Sequence, residues 1–392
     1  MKRFACRRQF LFLLSSASLG LCLRSLPASE AETVVQRFLR NYAIILHAAY
    51  TDSWLAVRQL QQVVEAFLKS PSEAGLHAAR QSWITARVPY LQTEVARFYD
   101  GPIEAVEGFI NAWPIDENYI DYTAEAPSAG IINNPQDYPE LTRELLVSAN
   151  EKEGEKNIST GWHAIEFILW GQDLHDDGPG RRSHLDYIAA ETGHRLHAGR
   201  RGEYLRLTVA LLIQHLKQVA DEWAPHVSGN YRAQFLSVTP HESLEKVIRG
   251  MGAFSGAELG GERTVVAYTT KEQEDEHSCF SDTTHQDMRY DQIGIMNVCL
   301  GHYVRPDKTK IHGAGLLEVI REKDPALGEK LQHQLDASLQ TIEGIPVPFD
   351  QAMKGRDTAP GRIALKKAID ALQAQTRTMA AAAKQLGIQL NL

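Results

Sequence analysis

The chain has 392 residues, of which 43% are hydrophobic, and a formal net charge of -8 at pH 7. This composition allows a large buried core, and the length predicts about two domains. The acidic balance excludes nucleic acid and an anionic membrane as main partners, because both bind concentrated positive charge.

The first residues are basic and lead into a short apolar run. Arg7 and Arg8 stand just before the apolar residues from Phe10 to Leu23, a stretch too short to span a bilayer comfortably. Residues 1–28 are therefore predicted to be a signal peptide, either of the twin-arginine type or of the Sec type. Its removal would take away basic residues but no acid, so the exported chain would be more acidic still.

Two helical segments are predicted after the leader. Apolar residues recur at spacings of three and four from Val34 to Phe67, which predicts one long helix or two helices in line. Pro71 and Ser72 then restart a helix that continues past Pro89, a residue that can kink it.

The second of these helices carries polar residues at helical spacing. Arg87 could hold a carboxylate and Glu94 could ligate a metal ion, with Trp83 and Tyr90 in the same ladder. The pattern is more typical of an amphipathic helix with one ion pair, and the ligand-binding interpretation is the alternative.

A long loop is predicted over residues 113–138, because Asn, Pro and Asp residues interrupt the helical period there. Its first residues, Trp113–Asp116, either wall a cleft or form only a packed aromatic–proline turn. On the first interpretation Asp116 is a candidate site residue, since long loops are often functional.

Residues 161–171 form an apolar stretch that contains one imidazole and one carboxylate. His163 and Glu166 lie three residues apart, so they share one face of a helix capped by Ser159 or Thr160. The other residues between the two terminal glycines are apolar, which predicts burial on all sides. Two buried titratable groups must be compensated by each other, by polar neighbours or by a metal ion.

The position of His163 in the first turn of this helix favours metal binding. The helix dipole there disfavours imidazolium and favours the neutral imidazole that binds metals. Trp162 borders the pair. Gly161 removes a side chain beside it, either for helix packing or to let a ligand approach the backbone.

The helical period is lost between Pro225 and Asn230, where turn-forming residues gather. We expect one helical bundle over residues 29–229 and a second over residues 230–392. Since no segment shows the alternation of a strand, the predicted fold class is all-α with a site at the interface of the two bundles. Their similar size is what an ancient duplication would produce.

The second half contains another ligand-rich block, Gln273–Asp282. Glu274 and His277 repeat the three-residue spacing in reverse, and neighbouring acids add oxygen donors of the kind that iron, manganese or calcium prefer. These acids are Asp275, Glu276 and Asp282. Alone, the block is more typical of a charged helix end than of a metal site. Paired His and Glu residues on facing helices form di-iron sites, but here the two pairs could meet only at the domain interface.

Cys279 and Cys299 are the two cysteines outside the leader. In an oxidising compartment they could form one disulfide, and they could equally be two buried free thiols. Their separation in space is not fixed by the sequence.

Several catalytic signatures are missing. His241 and Glu242 begin the His-Glu-x-x-His signature of zinc peptidases, but the second histidine does not follow. The sequence also lacks a nucleophile elbow, a phosphate loop and a dinucleotide fingerprint. These absences disfavour nucleotide chemistry and an ordinary zinc peptidase.

Three blocks of the sequence, in order behind a signal peptide, resemble the imelysin family, also called peptidase family M75 and iron-regulated proteins. Gly161–Glu166 fits the family's Gly-x-His-x-x-Glu motif, and Trp113–Asp116 and Gln273–Asp282 resemble its other signature blocks. The resemblance implies two helical-bundle domains with a site between them, export to the periplasm or outer membrane, and a link to iron uptake. His163 and Glu166 are the matched motif residues.

Three functions stay open at this point. The first is an exported binding protein that is not integral to the membrane. It would hold iron, zinc or another divalent ion, or a metal-bearing ligand, and its partners would be envelope iron-uptake components. Its predicted metal ligands are His163, Glu166, Glu274 and His277. The second is a metal-dependent peptidase in which Glu166 ligates the metal or activates water. The third is a structural polar network that contains no metal.

Overall fold

The fold begins with one long helix. In the computed structural model, which describes residues 32–390, helix α1 spans Val34–Lys69 and is capped by Thr33. Helix α2 spans Glu73–Leu91 and contains Pro89 near its end. The alternative of two helices in line is therefore excluded, and the predicted signal peptide lies outside the described residues.

The helices that follow differ widely in length. Their bounds are α3 Glu107–Ile110, α4 Glu117–Ile120, α5 Gly130–Asn133, α6 Arg143–Ala149, α7 Gly161–Trp170, α8 Ala198–Glu222, α9 Tyr231–Ser237, α10 Pro240–Ala253, α11 Ala267–Thr270, α12 Thr284–Leu300, α13 Leu316–Lys323, α14 Pro325–Glu343, α15 Phe349–Met353 and α16 Pro360–Gln385. A π-helix, Phe254–Val266, joins α10 to α11. Short 3₁₀ turns lie at Glu94–Ala96, His184–Tyr187, Gly193–His197 and Gln273–Asp275. The predicted loop 113–138 thus contains two single-turn helices.

Strands are confined to one small hairpin in the described part of the chain. β1, His302–Val304, pairs antiparallel with β2, Lys310–His312, and His302 lies opposite His312. Segments of three residues are too short for an alternating pattern to reveal them. The all-α fold class is confirmed, with this hairpin as its exception.

The helices pack around a continuous apolar core. Helix α1 packs against α2 and α8, and α14 packs against α16 and α12. Helices from the two predicted bundles also contact each other, as α2 does with α12 and α1 with α10. From Thr33 onward the chain clusters as one unit. The division at residues 229 and 230, and the duplication, stay predictions.

Helix α7 lies at the centre of this core, and all of its residues are buried. It packs against α2 and α8, and the indole N–H of Trp83 donates to the backbone oxygen of Trp162 at 3.1 Å. Thr160, one of the two predicted capping residues, is at the N-cap position, but its hydroxyl donates to Asn150 and makes no capping bond. Gly161 has φ 91°, and a Cβ there would lie 2.6 Å from the backbone oxygen of Ile110. Close backbone packing therefore accounts for this glycine.

The two cysteines are buried free thiols. The Sγ atom of Cys299 lies 3.9 Å from the Sδ atom of Met251. Burial raises the pKa of Cys299 to about 12 and raises that of Cys279 well above its ordinary value. Both side chains therefore remain protonated thiols at neutral pH. Among the described helices, none combines the length and the apolar character that a membrane span requires.

Candidate metal centre

Two histidines from distant parts of the chain meet in the core. His163 lies in the first turn of α7, and His277 lies between the 3₁₀ turn Gln273–Asp275 and α12. Their ring centroids are 4.7 Å apart, with an interplanar angle of 73°. Each residue is only 1% exposed. Two of the predicted metal ligands are therefore neighbours.

A carboxylate holds each imidazole through its Nδ1 atom. Nδ1 of His163 lies 2.9 Å from Oε2 of Glu166, and Nδ1 of His277 lies 2.6 Å from Oδ2 of Asp287. The Nε2 atom of both rings is buried and has no hydrogen-bond partner among residues 32–390. Metal-binding histidines are typically supported in this way, because the carboxylate fixes the orientation and tautomer of the ring.

Both oxygens of Glu166 are already engaged. Oε2 faces His163, and Oε1 accepts hydrogen bonds from the backbone N–H of Ser281 at 2.9 Å and from its hydroxyl at 2.7 Å. Burial raises the pKa of Glu166 to about 8, although the Ser281 bonds act in the opposite direction. In this geometry Glu166 orients His163 and presents no free oxygen.

Asp287 orients the ring of His277, as Glu166 orients that of His163. Arg87 donates to both of its oxygens, at 3.3 Å and 3.1 Å, and the hydroxyl of Ser278 donates to Oδ2 at 2.5 Å. Burial acts to raise the pKa of this carboxyl, but Arg87 and then His277 bring it well below its ordinary value. An ionised Asp287 keeps the proton of His277 on Nδ1, so its Nε2 presents a lone pair.

Both imidazoles are held in the neutral form. Burial, followed by the charge of Arg87, lowers the pKa of His163 well below its ordinary value. Burial, followed by Arg263, lowers the pKa of His277 to about 3. A metal ion binds the neutral form of imidazole. Both rings are therefore neutral at neutral pH, and Nε2 of His277 presents a lone pair. Nε2 of His163 does so once Glu166 is ionised and accepts the Nδ1 proton.

A polar network extends from Arg87 into the core. Nη1 of Arg87 donates to Asn111 at 3.0 Å, and the side-chain amide of Asn111 donates to Glu94 at 3.4 Å. Glu94 pairs with Arg263, which also contacts Asp291 at 2.8 Å. Arg87 and Glu94, two candidate site residues from the sequence, therefore belong to a buried ion-pair network. This network supports the histidine centre through the contact between Arg87 and Asp287.

Trp162 packs against this network and is fully buried. The guanidinium carbon of Arg87 lies 5.6 Å from the centroid of its ring, and the ring of Trp83 lies 6.0 Å away. Trp162 therefore helps to fix the position of Arg87, which in turn holds Asp287.

Trp113 lies between the histidines and an acidic cavity. Its ring centroid is 5.5 Å from that of His277, and its side chain also lines a cavity of about 400 Å³. The carboxylates on the cavity wall are those of Asp116, Glu117, Glu125, Glu274 and Asp275, and Lys156 is the basic residue on it. This excess of acidic over basic side chains favours a cationic ligand.

The acids of the block 273–282 divide between two places. Glu274 is exposed and lines the cavity with Asp275, so it is not among the hydrogen-bond or ring contacts of the two histidines. Asp116, also on the cavity wall, caps α4 by accepting the backbone N–H of Asn118 at 3.0 Å. Glu274, Asp275 and Asp116, three of the predicted site residues, therefore lie on the cavity wall and not at the histidine pair.

Glu276 and Asp282 are buried and lie elsewhere. Both belong to a group of carboxylates with Asp173 and Asp350. The sequence predicts Glu276 and Asp282 as oxygen donors, but it gives no such signal for Asp173 and Asp350.

Asp287 is the most important site residue that the sequence reasoning missed. Its only sequence signal is the spacing of four residues between Asp287 and Asp291 on α12, and the structure shows that both are buried. Buried acids at helical spacing are the same kind of pattern that pointed to His163 and Glu166.

The fold and the site define an all-helical protein with a buried pair of carboxylate-supported histidines. The family model described as imelysin, peptidase M75, matches residues 46–379, which is most of the chain. The protein belongs to the imelysin family, and the resemblance found in its sequence is confirmed.

Relatives share the fold over nearly the whole chain. Iron-regulated protein A of Synechococcus elongatus is 23% identical over 338 residues, covering 84% of this chain and 80% of that protein. The crystal structure of a protein assigned as an iron-regulated protein A precursor from Parabacteroides distasonis has a TM-score of 0.70 at 18% identity, covering 92% of this chain and 97% of that one. An imelysin-like protein from Psychrobacter arcticum has a TM-score of 0.63 at 12% identity, with coverages of 92% and 99%.

Proposed function

We propose that this protein is an exported binding protein of iron uptake that holds a metal ion, or a metal-bearing ligand, at His163 and His277. The observation that carries the proposal is the pair of buried Nε2 atoms that lack a partner in the described part of the chain. Leaving two such polar atoms unsatisfied in a core is unfavourable. A metal ion would satisfy both at once.

The donor set suits iron and related divalent ions. Imidazole nitrogen is a good ligand for iron, zinc, copper and nickel, and a carboxylate behind each ring makes it more basic. Two protein nitrogens leave further positions on the ion for water or for donors of a metal-bearing ligand. A bound ion would supply positive charge to the centre, and the protein residues would orient and bury it.

The acidic cavity supports a route for a cation. Carboxylates such as Glu274 and Asp275 would concentrate positive charge in the cavity. Trp113 stands between this cavity and His277. We infer that the cation reaches the histidines by displacement of the Trp113 ring.

Iron and export are supported by the relatives and by the leader. The Synechococcus elongatus relative is named iron-regulated protein A, and the Parabacteroides distasonis protein is described as a precursor. Residues 1–28 have the pattern of a signal peptide. The proposal therefore places the protein in the periplasm or at the outer membrane, with envelope iron-uptake components as partners.

The two other candidate functions are less well supported. In a peptidase Glu166 would ligate the metal or activate water, yet both of its oxygens are engaged by His163 and Ser281. A purely structural network would satisfy its own polar atoms, whereas the two Nε2 atoms have no partner among the described residues.

Metal titration of the purified, metal-stripped protein tests the proposal. We expect stoichiometric binding of Fe²⁺ under anaerobic conditions, measured by calorimetry and elemental analysis, and its loss in His163→Ala and in His277→Ala. His215→Ala is the matched control, because His215 is a buried histidine of α8 whose ring centroid lies 5.3 Å from that of Phe109. Stoichiometric iron that survives both site substitutions would contradict the proposal. Chelator-sensitive cleavage of an unstructured protein, abolished by Glu166→Ala, would favour the peptidase instead.

A further inference from the structure

A second group of possible ligands lies beside the histidine centre and consists only of carboxylates. One oxygen each from Asp173, Asp282 and Asp350 lies within 4.8 Å of the other two. Asp282 and Asp350 are 6% and 0% exposed. The three residues come from the segment after α7, the segment before α12, and α15, so distant parts of the chain converge here.

Glu276 provides a separate observation that points to a ligand. It is 0% exposed, and neither of its carboxylate oxygens has a hydrogen-bond partner among the described residues. Its carboxyl group interacts with those of Asp350 and Asp282, so its side chain faces the group. Both oxygens of Asp282 and one oxygen of Asp350 are also without partners in residues 32–390.

No basic side chain of the described residues forms a direct ion pair with the group. Lys354, which follows α15, interacts electrostatically with Asp350 and Glu276 but forms its ion pair with Asp176. The side-chain amide of Gln273 donates to Asp350 at 3.2 Å and also to Asp173. One amide cannot balance four buried or half-buried carboxylates, which are costly to keep ionised without a cation.

We propose that Asp173, Glu276, Asp282 and Asp350 bind a Ca²⁺ ion. Calcium takes several carboxylate oxygens at distances of about 2.3–2.6 Å, so oxygens on opposite sides of one ion lie about 5 Å apart, which suits the observed spacing. A group that offers only oxygen atoms selects a hard cation, whereas the imidazoles of the histidine centre suit transition metals. The two sites therefore differ in the ions they take.

The position of this site gives the calcium ion a structural role. Glu276 and Asp282 flank the short segment that carries His277, and Ser281 within it holds Glu166. An ion bound to both flanking acids, to Asp173 and to α15 would fix that segment against α7. Calcium would thereby order one wall of the histidine centre without belonging to it.

Calcium binding is tested on the whole exported protein after removal of metals with a chelator. Titration with Ca²⁺ alone at pH 7.5 is expected to give saturable heat and a rise in the melting temperature. Asp282→Asn and Asp350→Asn should weaken Ca²⁺ binding by about tenfold or more, because the site depends on its carboxylate count. Their melting temperatures without Ca²⁺ should equal or exceed that of the parent, since each change relieves repulsion between carboxylates.

Matched variants separate this site from its surroundings. Asp177→Asn, a change at a 71% exposed acid in the same segment as Asp173, should leave the calcium response unchanged. His163→Gln combined with His277→Gln should keep the calcium response while losing Fe²⁺, so failure of one site is distinguishable from failure of the other. The proposal is overturned if Ca²⁺ on the order of millimolar produces no heat and no shift in melting temperature. A response that persists unchanged in both Asp→Asn variants overturns it as well.

Discussion

His163 and His277 lie edge to face in the core, with ring centroids 4.7 Å apart. Each ring is anchored by its own carboxylate, Glu166 or Asp287. Glu166 is in turn held by Ser281, which belongs to the same segment as His277. The two halves of the centre are therefore coupled, and a change at one carboxylate is expected to affect the placement of both rings.

Glu166→Gln should weaken metal binding while leaving the fold intact. In the metal-bound protein an ionised Glu166 accepts the Nδ1 proton of His163. A glutamine can still accept the Ser281 bonds with its oxygen, but its amide donates to Nδ1 of His163 and so keeps the ring proton on Nε2. Loss of a carboxylate behind a metal-binding histidine typically lowers affinity by about 10–100-fold. Calorimetric titration with Fe²⁺ measures the affinity, and nitrogen NMR of the imidazole reports the tautomer. Glu262→Gln, at an exposed glutamate of the π-helix, is the control, and equal affinities for parent and Glu166→Gln would contradict this assignment.

The Arg87–Asp287 ion pair should show strong coupling in a double-mutant cycle. Both side chains are only 2% exposed, so Arg87→Met or Asp287→Leu alone leaves one buried charge without its partner. Each single change is expected to lower the free energy of unfolding by about 3–5 kcal/mol. The double variant should recover part of that loss, because no unpaired charge remains. Urea unfolding measures all four proteins, and strictly additive losses would show that the pair is not coupled.

Sequence pattern predicted the core helix of the site but not the partner of its second histidine. His163 and Glu166 were found because α7 is a regular helix, where residues three apart share a face. The same argument for Glu274 and His277 failed because the 3₁₀ turn ends at Asp275 and the backbone is extended at Glu276. Glu274 consequently lines the cavity, and Asp287 of α12 is the carboxylate that contacts His277.

The sequence also does not predict the long-range packing of the helices against one another. Periodicity identifies each helix and its apolar face, which is why the all-α class could be predicted. It does not specify which helices meet, so the convergence of Asp173 with Asp350 carried no local signal. The proposal that the metal is iron rests on the names of relatives and on ligand chemistry, because residue spacing carries no signature of a particular metal.

Glu94 is expected to make the stability of the protein sensitive to acid. Burial acts to raise its pKa, but Arg263 and then Arg97 lower it from 4.5 to about 2. A carboxylate with a depressed pKa in the folded state stabilises that state above pH 4.5, and this contribution is lost as the pH falls toward 2. Glu94→Gln should therefore unfold more easily than the parent at pH 6, and the difference should shrink on acidification.

Urea unfolding across this pH range tests the role of Glu94. Glu262→Gln, a change at an exposed glutamate of the π-helix that carries Arg263, is the matched control. A difference between parent and Glu94→Gln that stays constant from pH 6 to the acid limit would contradict the expected linkage.

Trp113→Leu should change the rate of metal loading more than the affinity. The Trp113 ring contacts His277 and lines the acidic cavity, so a smaller side chain opens the route between them. Stopped-flow mixing with Fe²⁺ should show faster association, and competition with a chelator should show faster release. Trp54→Leu on α1, where Trp54 lies beside Arg58, is the control. Unchanged rates in Trp113→Leu would mean that the ion takes another path.

Gly161→Ala should destabilise the protein because α7 must begin with a positive φ. An alanine at φ 91° would place its Cβ 2.6 Å from the backbone oxygen of Ile110, and the dihedral strain alone is about 1–3 kcal/mol. Gly199→Ala in α8, where a Cβ would have no neighbour within 4 Å, should be neutral or slightly stabilising. Thermal melts and Fe²⁺ titrations of both variants distinguish the two explanations of Gly161. A Gly161→Ala variant that melts like the parent but loses metal would show that the glycine serves the ligand, whereas a lowered melting temperature shows that it serves helix packing.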